Sequence, residues 1–202
     1  MKSIRWNNKN IHPSKIVCIG RNYAAHIEEL ENTPAQEPVI FLKPNSAIAR
    51  EVNSHPSDLI HYEGEITFLI SGGELAAVGF GLDLTKRDLQ DQLKSEGLPW
   101  ERAKAFDGSA VFSEFVHFDD VSDLQMVFYI NGVMVQQGSY DLMLSKPMQA
   151  LAAAKDFLSF EDGDLLMTGT PQGVGPVTVG DQYHGKIFEK NQCIAEASWI
   201  VI

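Results

Sequence analysis

No apolar run in this 202-residue chain approaches the roughly 20 residues that cross a bilayer. The opening Met1-Lys2-Ser3-Ile4-Arg5-Trp6 also lacks the apolar stretch of a secretory signal, so a cytoplasmic protein is expected. Basic residues are scarce: 16 Lys and Arg against 27 Asp and Glu leave a formal charge of -11. Nucleic acid and anionic membranes both require a basic face, so neither is an expected partner. A small anionic ligand stays open, because a bound metal and a few placed cations reverse the field locally. Cysteine is scarcer still. Cys18 lies in the apolar run Ile16-Val17-Cys18-Ile19 and Cys193 stands far off, with no C-x-x-C motif, so buried reduced thiols are expected. Repeats, low-complexity tracts and charge blocks are absent too, and one domain over residues 1–202 is expected.

What is present looks globular, with 44% hydrophobic and 21% charged residues. Short apolar runs bounded by Gly, Pro, Asn or Asp predict strands over residues 16–19, 39–42, 65–70, 76–82, 125–130, 165–168 and 199–202. Asn131-Gly132 predicts a two-residue hairpin, since both positions tolerate positive φ. Three helices are legible. Asn22 is the expected cap of one running to Leu30, Thr85 of one stopped by Gly97, and Ser145 opens one with Pro147 in its first turn. In the third, Met148, Leu151, Ala152 and Leu158 mark the apolar side. Strands outnumber helices without alternating regularly, so the fold class is α+β with a β-rich core.

The stretch His61-Tyr62-Glu63-Gly64-Glu65-Ile66-Thr67-Phe68-Leu69-Ile70 carries the most chemistry. Residues i and i+2 of a strand share a face, which sets Glu63 beside Glu65 at the lip of an apolar strand. Two such anions raise each other's pKa unless a cation intervenes, and a hard divalent metal suits oxygen ligands. Asp83 ends an apolar run just before a helix and is a third oxygen donor, or simply a favourable charge at a helix entry. A solvated strand end is the bland alternative for the glutamates. His26 and Glu29 share a helix face, where a carboxylate fixes the imidazole tautomer and raises the basicity of the other nitrogen; surface neighbours at this spacing are common. Lys104, between Trp100 and Phe106, reads as a half-buried cation or a snorkelling surface lysine. The loop Gly169-Thr170-Pro171-Gln172-Gly173-Val174-Gly175 lacks the Gly-Lys-Ser/Thr of a phosphate loop.

Six segments in order resemble the fumarylacetoacetate hydrolase family, in particular its small single-domain acylpyruvase branch. They are Gly20-Arg21-Asn22-Tyr23 with His26; Phe41-Leu42-Lys43-Pro44; His61-x-Glu63-x-Glu65; Leu82-Asp83-Leu84-Thr85 with Arg87, Asp88 and Gln90; Gly97-Leu98-Pro99-Trp100 with Lys104; and Thr168-Gly169-Thr170-Pro171 with Gly173-Val174-Gly175. The resemblance implies a rolled mixed β-structure with peripheral helices, usually a homodimer. It makes Glu63, Glu65 and Asp83 ligands of Mg²⁺ or Mn²⁺, with Lys104 beside the metal. His26 and Glu29 become a catalytic dyad on a short lid that orders over substrate. Arg87, Gln90 and Thr170 become pocket residues, while His61 receives no role. The chain departs from the family at Ser109 to Ser113, and at Gln137 to Met143, which is about one residue short.

The activity so implied is metal-dependent cleavage of a carbon–carbon bond in acylpyruvate-like β-diketo acids such as fumarylpyruvate. His26 would activate water, and the metal with Lys104 would stabilise the enolate. Oxaloacetate decarboxylation, keto–enol tautomerisation and dienedioate isomerisation use the same metal site without that water, and the fold does not choose among them. A non-catalytic β-module holding Ca²⁺ has no use for Lys104 or the dyad.

Overall fold

Ile66, Phe68 and Ile70 point into an interior shared by two sheets, while Leu69 joins a second apolar cluster. The alternation read from the sequence therefore separates two buried faces of one strand. The computed structural model describes residues 1–30, 37–54 and 58–202. At its centre β7 (Gly64–Ser71) pairs antiparallel with β8 (Glu74–Asp83). From edge to edge that seven-stranded sheet runs β4 (Val39–Pro44), β3 (Lys15–Gly20), β13 (Leu165–Met167), β7, β8, β10 (Ala110–Phe112) and β5 (Ile48–Ala49). It is mixed, because β13 pairs parallel with β3 and β10 parallel with β5.

A four-stranded antiparallel sheet covers its apolar face in the order β12 (Val133–Ser139), β11 (Leu124–Ile130), β15 (Gln182–Glu189) and β16 (Gln192–Ile200). Phe80 and Phe128 meet between the sheets with ring centroids 5.4 Å apart. Phe80 packs so close that a Cβ on Gly185 would lie 2.2 Å from its ring, so β15 needs glycine there. Smaller pieces complete the fold: β6 (Ile60–Tyr62) between β14 (Gly175–Pro176) and β9 (Thr85–Lys86), and a hairpin of β1 (Ile4–Trp6) with β2 (Lys9–Ile11). The architecture is the strand-rich α+β roll with peripheral helices expected from the sequence.

Local details differ from expectation where tertiary bonds compete with local signals. Helix α1 spans Ala24–Glu29 and Tyr23 stands at its cap position; Asn22 is instead bonded to distant backbone. Helix α2 is Arg87–Ser95, and Thr85 lies in β9 rather than capping it. Gly97 terminates that helix as expected, at φ +66. The four-residue α3 (Glu101–Lys104) has too short a pattern to be read from periodicity. Helix α4 is Pro147–Lys155, with Lys146 at the cap position in place of Ser145, and it buries Ala150, Leu151 and Ala154 while Met148 is exposed. Residues 199–200 prove to be the end of β16, and β15 preceding it carries too few apolar residues to signal itself. Asn131 and Gly132 turn their hairpin at φ 51 and 78. Both cysteines are free, but only Cys18 is buried; Cys193, on the outer strand, is exposed.

Candidate active site

The central strand pair builds the site. Glu65 heads the row of β7 side chains facing away from the inter-sheet core, Asp83 ends β8, and Glu63 immediately precedes β7. The Asp83 N–H donates to Glu63 C=O at 2.8 Å, which ties the two strand ends together. All three side chains are buried, and each offers a carboxylate oxygen within 4.8 Å of the others.

Cations surround two of these carboxylates. Lys104, at the end of α3, donates from Nζ to Glu63 Oε2 and Asp83 Oδ2, each at 2.7 Å, and to Thr85 Oγ1 at 2.6 Å. It is 3% exposed, well beyond half-buried, and its ammonium stands 5.2 Å from the Phe41 ring centroid. Arg87, the first residue of α2, donates to Glu63 Oε1 and to Gln90 Oε1. Lys43 Nζ lies 2.8 Å from Asp83 Oδ1. Glu65 has a different surrounding: the Gly169 N–H donates to its Oε2 at 2.7 Å. Burial opposes the charge on Glu63, yet Lys104 and Arg87 outweigh it and hold the carboxyl below its ordinary range. Burial, with Asp83 and Glu63 as neighbours, pushes Glu65 well above that range. Burial likewise disfavours the Lys104 ammonium, and Asp83 and Glu63 overcome it.

This donor set fits a hard divalent cation. Three carboxylates converge, and the one most opposed to carrying charge accepts a backbone N–H, where the other two are ion-paired with Lys104, Arg87 or Lys43. Glu63, Glu65 and Asp83 are the residues that would hold Mg²⁺ or Mn²⁺.

One pocket brings His26, Arg87, Gln90, Lys104 and Thr170 together with the three acids. Glu29 backs His26: its Oε2 lies 3.1 Å from Nδ1, and its Oε1 accepts the Gly173 N–H at 2.9 Å. A carboxylate on Nδ1 fixes the proton there and leaves Nε2 as the basic nitrogen. Thr170 Oγ1 donates to Gly64 C=O at 2.9 Å and accepts from Gln136 Nε2 at 2.8 Å, so its hydroxyl also braces the strand carrying Glu65. His61 is half-buried, with its Nδ1 3.5 Å from Arg87 Nε.

Sequence reasoning passed over Lys43 and the Gly169 N–H as parts of this site. Lys43 had a signal, a lone charge closing an apolar strand; it is wholly buried and bonded to Lys104 C=O and to Ser109 Oγ at 3.0 Å. Ser109, which opens the first segment departing from the family pattern, thus supports the site through that lysine. Gly169 adopts φ +91, and a Cβ there would lie 2.9 Å from Asn22 Cβ and Ile19 O, so glycine lets its N–H reach Glu65.

The signature described as fumarylacetoacetate (FAA) hydrolase C-terminal matches residues 15–198. The chain belongs to the fumarylacetoacetate hydrolase family. Among its relatives, oxaloacetate tautomerase YcgM of Escherichia coli is 38% identical over 188 residues, covering 84% of this chain and 86% of the relative. The mitochondrial oxaloacetate tautomerase FMP41 of Saccharomyces cerevisiae is 32% identical, with 92% and 91% covered. Fumarylpyruvate hydrolase from Pseudomonas aeruginosa, solved with Mn²⁺ and pyruvate, superposes with a TM-score of 0.87 at 29% identity, over 100% of this chain and 95% of that one. Among the described residues no helix is long and apolar enough to cross a membrane.

Proposed function

We propose that this chain catalyses keto–enol tautomerisation of oxaloacetate or a closely similar 2-keto diacid, with Mg²⁺ or Mn²⁺ at the three acids. The observation that carries the reading is one pocket shared by the acid triad, the buried Lys104 and a histidine oriented by Glu29. The names of relatives covering over four fifths of the chain support it. Charge supports it too. Glu63, Glu65 and Asp83 formally balance Lys43, Lys104 and Arg87, so a divalent cation bound there would turn the site positive toward an anionic ligand.

The metal, when bound, would supply Lewis-acid polarisation of a chelated 2-keto carboxylate, which acidifies the neighbouring C–H. The chain's own residues then have definite tasks. His26 Nε2 takes the proton from C3 of the keto form and gives it to the C2 oxygen to complete the enol, the same path running backwards in the other direction, while Glu29 stabilises the transient imidazolium. Lys104 places a positive charge beside the oxygen that gains electron density. Gln90 and Thr170 line the space and set substrate orientation.

Hydrolysis of acylpyruvates, the activity first implied by the family resemblance, becomes the second reading; the likeness to fumarylpyruvate hydrolase favours it, with His26 deprotonating water instead of carbon. The test is the rate of enol-to-keto conversion of oxaloacetate in ultraviolet absorbance, beside acetylpyruvate cleavage, for the Mg²⁺-supplemented protein. His26→Ala should lose about 10²–10⁴-fold in the tautomerase assay. Tautomerisation no faster than the buffer rate would remove the proposal, and acylpyruvate cleavage alone would restore hydrolysis to first place.

A further inference from the structure

We propose that Arg21 and Lys94 form a second anion subsite that holds the far carboxylate of a 2-keto diacid whose near end lies against Glu63, Glu65 and Asp83. The inference rests on the tautomerase reading for its substrate, but its residues are found independently. Both line the same pocket as the triad. In a chain of net charge -11, the wall beyond the metal ligands thus presents Arg21, Arg87 and Lys94 together.

The sequence places Lys94 there by helical spacing. Arg87, Gln90 and Lys94 stand at i, i+3 and i+7 of α2 and share a face. Arg87 is already engaged by Glu63, Gln90 and His61, so it serves the near end of the pocket. Lys94 lies one turn beyond Gln90, with Asp91 Oδ1 3.7 Å from its Nζ. Burial lowers its pKa, and Arg21 and Arg87 add to that against the pull of Asp91, so a negative group between these side chains is favourable.

Arg21 is placed by strain. Its φ is +56, a left-handed conformation that arginine seldom adopts. The next residue locks it in: Asn22 Nδ2 donates to Ser145 C=O at 2.9 Å and Thr168 C=O at 2.8 Å, and its Oδ1 accepts the Ser145 N–H at 2.6 Å. Gly169 packs against Asn22 from the other side. A turn of this shape would be more stable with glycine at position 21, so the arginine is retained for its side chain.

The test uses two unreactive ligands with the same 2-hydroxy acid head, malate and 2-hydroxybutyrate, in which the far carboxylate of the first is a methyl in the second. Calorimetry on the Mg²⁺-loaded protein should show malate bound at least about 10-fold more tightly, as expected for charge-assisted hydrogen bonds. Lys94→Met and Arg21→Gly should each lower malate affinity about 10-fold and leave 2-hydroxybutyrate unchanged, and Arg21→Gly should also raise the unfolding midpoint. Equal weakening of both ligands in the variants, or no preference in the parent, overturns the subsite. A protein that prefers malate yet fails to tautomerise oxaloacetate keeps the subsite and loses the proposed activity.

Discussion

The short strand β13 has a buried carboxylate just before it and a second carboxylate centre just beyond its other end, and the two are built differently. Asp164, before the strand, is saturated by the protein. Its Oδ1 accepts from Ser14 N at 2.8 Å, Ser14 Oγ at 2.7 Å and Lys15 N at 3.1 Å, and its Oδ2 from Glu161 N at 2.9 Å and from Lys15 Nζ. Burial opposes its charge, but these donors prevail and hold the carboxyl below its ordinary value. Beyond the strand, the Gly169 N–H reaches Glu65, whose carboxyl is pushed the opposite way. A carboxylate that serves the fold collects donors until its charge is settled. A carboxylate kept for a ligand is left with charge that the protein does not settle.

The largest effect expected from this contrast is at Glu65. Removing its charge should abolish binding of Mg²⁺ or Mn²⁺ and lower tautomerase activity by at least about 10³-fold, as EDTA should in the parent. Folding stability should hold or rise, because a buried, unfavourable charge is lost. Differential scanning fluorimetry separates the outcomes: added metal should raise the parent's midpoint through its preference for the native state and leave Glu65→Gln unmoved. A Glu65→Gln protein that still responds to metal, or that is severely destabilised, would make the triad a structural centre like Asp164.

Lys43→Met should come next. It strips Asp83 Oδ1 of its ammonium and leaves Lys104 C=O and Ser109 without that donor. Breaking a buried ion pair from one side costs about 3–5 kcal/mol. If Asp83 belongs to a metal centre, saturating Mg²⁺ should recover part of that loss, since a divalent cation then balances the exposed charge. Chemical denaturation with and without Mg²⁺ measures it, and a loss indifferent to metal would set Asp83 apart from the centre.

How much of this was legible beforehand depends on whether each group acts through its own side chain and its near neighbours. The strands at 16–19, 65–70 and 76–82 were visible because short apolar runs bounded by turn residues mark buried strands in any tertiary context. Glu63, Glu65, Asp83, His26 and Lys104 were visible as chemistry set against apolar strands or at helical spacing, and the family resemblance joined them. Asn22 and Thr85 misled because both carry cap chemistry, yet their side chains are taken by Ser145 and Thr168 in one case and by Asp83 and Lys104 in the other. The Gly169 N–H was invisible for a different reason: a backbone donor has no letter of its own, and its aim comes from φ +91 and the packing of Asn22.

The smallest expected effect is the most selective, because it concerns Asp164 and depends on pH. In Asp164→Asn the amide replaces one oxygen with a donor, which then faces the Lys15 ammonium or an N–H; the lost charge-assisted bonds cost about 1.5–3 kcal/mol. Activity per folded molecule should be unchanged. Because the folded Asp164 carboxyl lies below its ordinary value, the unfolded chain takes up the proton first as pH falls. The stability that the ionised group contributes is therefore fully present above the unfolded pKa of about 3.9 and is lost as pH falls through the folded value. The gap between parent and Asp164→Asn should stay flat from neutral pH to about pH 5 and narrow below about pH 4 in urea titrations. The same curves with saturating Mg²⁺ should shift parent and Asp164→Asn upward together at neutral pH, since the metal reads only the other end of β13. A metal-dependent gap would mean that the two centres are coupled through the three residues of that strand.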